Sequence, residues 1–167
     1  NVGLTIRQAL PMVVDILTRY GLRDRIKVIA AGKLITPAEV AWAYCAGADF
    51  VVSARGFMFA LGCIQAMKCN RNTCPTGITT HQPHLQRGLD PADKAVRVKN
   101  FVDKMRYGVG MIAHSCGAAH PRALKRYHVH LVQSDGAAKP FSDIFPEAEP
   151  VGLATPERSQ AARDAQA

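Results

Sequence analysis

Apolar residues recur at helical spacing along the first twenty positions, with Ile6, Leu10, Val13, Val14 and Leu17 on one side and Ala9 between the first two. The pattern predicts a helix over about 5–20. Thr5 and Gln8 have the spacing of a capping box, and Gly21 suits a left-handed stop. Pro11 falls deep in this helix and should kink it or mark its true first turn. The pattern then changes. Ile26-Lys27-Val28-Ile29-Ala30-Ala31 is short and β-branched, the composition of a buried strand. Thr36-Pro37-Ala38-Glu39 combines a capping Thr, Pro at the first helical position and Glu at the third. It predicts a helix through Val40, Trp42 and Ala43 to Gly47. Asp49-Phe50-Val51-Val52-Ser53 reads as a second strand. Two strands separated by one helix predict parallel pairing through a right-handed crossover.

Further on, Phe57 to Met67 reads as a helix leading into three closely spaced cysteines, and Thr76 to Leu89 as a polar loop. Asp90-Pro91-Ala92-Asp93 opens a long helix. Its apolar face carries Ala95, Val98, Phe101, Val102, Met105, Val109, Ile112 and Ala113. Gly108 and Gly110 should weaken its last turns. Pro121 to Leu124 suggests a short helix, and Tyr127 to Val132 an extended stretch. From Ser134 onward large apolar residues are few. The expected division is a folded body over 1–132 and a polar, flexible tail over 133–167.

A chain of 167 residues has the length of about one domain. Its formal net charge of +8, from 21 Lys and Arg against 13 Asp and Glu, is scattered. No arginine-rich run interleaved with aromatics appears, which argues against nucleic acid as a partner. No window approaches ~18 consecutive apolar residues, and no signal peptide is visible. Clustered, unpaired cysteines suit a reducing compartment, here the cytoplasm. The first residue is Asn1, so the chain is expected to be a piece of something longer.

Cys63, Cys69 and Cys74 carry the most specific chemistry, at spacing C-x5-C-x4-C. Thiolates bind soft iron and zinc. Three suit a cluster of three irons, whereas tetrahedral zinc needs a fourth ligand, for which His81, Cys45 or Cys116 is available. Buried, reduced thiols are the plainer alternative, and the better reading for Cys45 and Cys116. Gly-containing turns follow both strands: Ala31-Gly32-Lys33, then Ser53-Ala54-Arg55-Gly56. Either is ordinary turn chemistry alone; on consecutive parallel strands they suit a phosphate, with backbone N–H groups pointing inward. Lys33 and Arg55 would add charge, and Ser53 a hydroxyl. Lys68 and Arg71 would offset cluster charge or serve as ordinary surface charges. His114, Ser115 and Cys116 are adjacent but lack a triad's third group. His81 and His84 read as solvated loop residues, His128 and His130 as alternating strand residues, and Trp42 as a packing residue.

These segments together resemble the FMN-binding domain of glutamate synthase, in particular its shorter, single-domain members. The likeness extends from about Val2 to Val132; it is carried by Ala31-Gly32-Lys33, Ser53–Cys63 and Cys69-Asn70-Arg71-Asn72-Thr73-Cys74-Pro75-Thr76-Gly77, and takes in Ala113-His114-Ser115-Cys116-Gly117. It implies an α/β fold: the C-terminal part of a (βα)8 TIM barrel with a cysteine-rich cluster loop and additional C-terminal helices. Cys63, Cys69 and Cys74 would hold a 3Fe-4S cluster, and Gly32, Lys33, Ser53, Ala54, Arg55 and Gly56 would lie around the FMN phosphate. The implied activity is reductive formation of L-glutamate from 2-oxoglutarate and glutamine-derived ammonia. Electrons would come from an NAD(P)H-linked subunit or ferredoxin and pass through the cluster to FMN. No catalytic residue is assigned. The earlier strands and the 2-oxoglutarate site lie outside this sequence, so the fragment is expected to be inactive alone. Shorter relatives can carry an apolar anchor upstream. The competing readings are a non-enzymatic zinc or iron–sulfur module, and an FMN or nucleotide dehydrogenase-like barrel with one nucleophilic cysteine.

Overall fold

The computed structural model describes residues 3–151. Helix α1 spans Ile6–Arg19. The Thr5 hydroxyl bonds the Gln8 side chain at 3.1 Å and makes no capping bond to the backbone, so the expected box does not close. Pro11 lies within α1, buried on the core side. Gly21, at φ 65°, ends it as expected: its N–H donates to Thr18 O, and Leu22 N–H to Leu17 O. Strand β1, Ile29–Ala31, is shorter than its apolar run, and β2 covers Phe50–Val52. Between them α2, Pro37–Cys45, carries the predicted capping box: Glu39 N–H donates to Thr36 Oγ1 and Thr36 N–H to Glu39 Oε2.

β1 and β2 pair in parallel, with Ile29 opposite Phe50 and Ala31 opposite Val52. One face of this two-stranded sheet is packed, with Ala30 buried; the other leaves Ile29 62% exposed and Phe50 and Val52 each 47% exposed. Parallel sheets in folded proteins are covered on both faces. Helix α3, Ala54–Leu61, starts earlier than predicted and stops before the cysteines rather than at Met67. A short helix α4, Pro83–Gln86, interrupts the loop that follows.

Helix α5, Pro91–Ser115, starts at Asp90, whose carboxylate accepts from Ala92 N–H at 3.0 Å. It runs unbroken through Gly108 and Gly110. A Cβ on Gly108 would stand 2.7 Å from Pro37 Cγ, so this glycine lets α5 close onto α2. The helical propensity lost there is offset by packing. The core joins Leu10 and Val14 of α1, Ala30, Leu34, Val40, Ala43, Val109 and Phe141. A second cluster gathers Cys45, Ala113, Ala118 and Leu124, with Cys116 packed against it.

After two 3₁₀ turns, Pro121–Ala123 and Arg126–His128, β3 (His130–Val132) pairs antiparallel with β4 (Ala138–Pro140), and α6 covers Phe141–Ile144. Here the structure differs from the expected flexible tail over 133–167. Phe141 is fully buried, Phe145 packs beside it, and β4 pairs with β3, so part of this polar stretch is docked on the core. The rest of that expectation, over 152–167, lies outside the described residues. No helix among the described residues is long and apolar enough to cross a membrane.

Candidate functional site

Parallel pairing places the carboxyl ends of β1 and β2 side by side, so the turns after them face one another. They share a cavity of about 580 Å3 lined by Gly32, Lys33, Ala54 and Arg55, and also by Cys63 and Cys69. Helix α3 begins at this rim, and Ser53 at its N-cap makes no side-chain capping bond. The first N–H groups of α3 therefore have no side-chain partner, an arrangement that favours an anion.

Two of the residues expected around a phosphate face elsewhere. A Cβ on Gly56 would stand 2.5 Å from Ser53 Oγ and 2.6 Å from Phe101 Cζ. Ser53 Oγ thus lies between α3 and α5, buried and without a hydrogen-bond partner among the described residues. Gly56 is buried and gives α3 its close approach to α5. Neither lines the shared cavity.

Backbone strain is concentrated at this site. Among the described residues four non-glycine residues have positive φ: Lys33 at 60°, Gln65 and Met67 at 55° and Asn72 at 57°. One sits in the first turn, and three in the cysteine segment. Such conformations persist only where the surroundings impose them, and they collect at ligand sites.

The end of α3 sets the position of Cys63. Gly62 is left-handed at φ 100°, its N–H donates to Phe59 O at 2.9 Å, and Cys63 N–H donates to Met58 O at 2.9 Å. This double closure stops the helix that the apolar pattern continued to Met67. Cys69 is exposed and borders a second cavity of about 580 Å3 lined by Gly77, Thr79, Thr80 and His81. Cys74 lies outside both linings, 3.3 Å from the Thr76 hydroxyl. Hydrogen bonding from Thr76, aided by the Thr79 backbone, holds its thiol down to about 6. The shift favours the thiolate, the form that binds metal. Burial pushes the Cys45 thiol up to about 12, which fits the packing role expected for it.

The loop around Cys74 is stapled by residues that the sequence reading passed over. The buried Thr80 hydroxyl donates to Asn72 O at 2.7 Å and accepts from Gln82 N–H at 3.2 Å. Asn72 Oδ1 accepts from His81 N–H at 2.6 Å, and Gln86 Nε2 donates to Thr80 O at 2.9 Å. The available signal was Asn72 itself, since Asn tolerates the left-handed conformation and bonds locally. Thr80→Val keeps the shape and leaves two backbone groups unpaired. We expect it to cost about 1–3 kcal/mol. Chemical denaturation, with faster amide exchange over 69–82, measures this.

All five cysteines are free. Among the described residues, no three His, Cys, Asp or Glu side chains close around one point as a single metal ion requires. The donor chemistry suits soft iron, and two of the three thiols open on the strand-end cavity. The His114–Cys116 trio builds no triad: Ser115 Oγ donates to Met111 O, and His114 is exposed.

Residues 1–119 match the family described as a conserved region in glutamate synthase. The chain belongs to the glutamate synthase family. It is 45% identical over 137 residues to the glutamate synthase large subunit-like protein YerD of Bacillus subtilis, covering 82% of this chain and 26% of that protein. It is 34% identical over 117 residues to an archaeal glutamate synthase (NADPH) of Methanocaldococcus jannaschii, covering 70% and 23%. The glutamate synthase large chain (NADPH) of Bacillus subtilis is 33% identical over 87 residues, covering 52% and 6%. The chain therefore spans about a quarter of the length of these first two curated relatives. The match takes in both strand-end turns, all three clustered cysteines and the whole of α5, so the residues that form the shared cavity lie within the family region.

Proposed function

We propose that this chain is the cofactor-holding C-terminal part of a (βα)8 barrel in a glutamate synthase-type oxidoreductase. The intact protein would form L-glutamate from 2-oxoglutarate and glutamine-derived ammonia, and the fragment alone would be inactive. FMN, when bound, would supply hydride chemistry, and a 3Fe-4S cluster would feed it electrons singly. The observation that carries the reading is the shared cavity, where two anion-favouring strand ends meet Cys63 and Cys69. The open strand edges and the exposed Ile29, Phe50 and Val52 support further strands completing the sheet. Relatives named for NADPH support an NADPH-linked electron donor.

Each set of residues has a separate task. The Lys33 and Arg55 side chains and the first N–H groups of α3 would neutralise and orient the FMN phosphate, with Gly32 and Ala54 giving close backbone approach. Ser53 and Gly56 would contribute through position: they seat α3 on α5 and so aim its N-terminus. Cys63, Cys69 and Cys74 would bind the cluster as thiolates, with Cys74 held in that form by Thr76.

The full-length protein, purified anaerobically, is expected to be yellow-brown and to release FMN, iron and acid-labile sulfide. Cys63→Ala, Cys69→Ala and Cys74→Ala should each abolish the paramagnetic signal of a three-iron cluster while FMN stays bound. A colourless protein without flavin or iron would overturn the reading. Zinc in place of iron would favour the metal-module alternative. Loss of turnover in one variant alone, with iron retained in all three, would favour a nucleophilic cysteine.

A further inference from the structure

The short bend joining α3 to the cysteine segment faces two cations from a distant part of the chain. The point where a Cβ on Gly62 would stand lies 3.5 Å from Arg97 Nη1 and 4.0 Å from Lys94 Nζ. Both side chains come from the second turn of α5, about thirty residues further along. They reach this bend because α3 packs along the first half of α5, with Phe57 edge-on to Phe101 at 5.3 Å. Lys94 is largely buried, at 16% side-chain exposure, and ion-paired to Asp93 at 2.9 Å. The next residue after Gly62 is Cys63, whose backbone is pinned by the bond to Met58 O. A Cβ at position 62 would stand in ordinary van der Waals contact with these cations, so the bend and the two charged groups are close neighbours.

We propose that Lys94 and Arg97 are positioning residues for the redox site, setting the reduction potential of the group bound through Cys63. This rests on the functional reading above. An electron added to an iron–sulfur cluster makes it more negative, and fixed cations nearby favour that reduced form. The sequence showed only Lys68 and Arg71 beside the cysteines. The fold adds two more cations, one of them screened from solvent by burial and so less sensitive to salt. Asp93 opposes them by partly neutralising Lys94. A plainer task also exists, since cations near the C-terminal carbonyls of α3 stabilise that helix. That task changes melting temperature and leaves the potential alone.

The test is a redox titration of the full-length protein, followed by paramagnetic resonance of the cluster and absorbance of the flavin. Arg97→Gln and Lys94→Met should each move the cluster midpoint to more negative potential, with the flavin midpoint unchanged. Arg97→Lys should restore most of the shift. Asp93→Asn should move the midpoint the other way, because Lys94 then keeps its full charge. The Lys94 shift should persist in high salt, and the Arg97 shift should shrink. If Arg97→Gln fails to load iron, the Asp93→Asn midpoint decides alone. Iron-loaded variants with unmoved midpoints would overturn this inference and leave the functional reading intact. A wild-type protein without iron would overturn both.

Discussion

Arg126→Ala is expected to destabilise the protein by about 3–5 kcal/mol, read as a lower urea midpoint with little change in slope. Arg126 is 4% exposed, yet it carries a full charge. Its Nη2 meets Asp15 Oδ1 at 2.5 Å, and its Nη1 donates to Phe145 O and Pro146 O, each at 2.9 Å. One guanidinium thus ties α1 to the segment after α6. Truncation strands a half-buried carboxylate and two carbonyl oxygens, and the penalty for those orphans exceeds the net value of the intact pair. Arg126→Lys should not rescue, because an ammonium cannot fork to a carboxylate and two carbonyls at once. The double variant Arg126→Met with Asp15→Leu should recover part of the loss, since both charges are then gone. The effect should also reach the candidate site: a Cβ on Gly32 would stand 2.9 Å from Ile6 Cδ1, so a loosened α1 disturbs the first strand-end turn. A loss under about 1 kcal/mol, the size expected of an exposed pair, would show that the pair is not buried in solution.

Phe141→Ala should cost a similar amount, about 3–5 kcal/mol, by thermal or chemical denaturation. Phe141 has no exposed surface, lies 6.1 Å from the Trp42 ring and 5.2 Å from the Phe145 ring, and its N–H donates to Val129 O at 2.8 Å. Its removal would leave a cavity against α2 that the surrounding residues can only partly fill. Phe141→Leu should cost less, because most of that volume remains. The two losses should not add: Arg126 Cζ lies 5.9 Å from the centre of the Phe141 ring, so either change disturbs the other's partner. A near-neutral Phe141→Ala would mean that residues 138–144 are not docked on the core.

These two residues also mark where a linear reading lost the fold. Arg126 was one cation among many, and Phe141 one apolar residue in a polar stretch. Burial of either depends on Asp15 and Trp42, more than a hundred and nearly a hundred positions away. Local signals performed well where local physics decides. Thr36, Pro37 and Glu39 closed the predicted capping box, Gly21 stopped α1, and Asp90 started α5. The same kind of reasoning extended α3 too far, because apolar periodicity continues past Gly62 while the left-handed closure does not. It also placed the Ser53 hydroxyl and Gly56 at the phosphate. Their immediate surroundings are set by Phe101 on another helix.

By itself the sequence determined the family, the mixed α/β character, the parallel pairing of the two short strands and the supply of three clustered thiols. Each follows from residue type and spacing, which survive any later packing. Only the tertiary structure decided which of those groups meet: that Cys63 and Cys69 open on the cavity between the strand ends while Cys74 does not, that Ser53 turns away, and that Lys94 and Arg97 arrive beside Gly62. Those outcomes depend on how α5 seats against α2 and α3. That seating is a sum of small contacts between positions far apart in the chain, and no single stretch of sequence contains it.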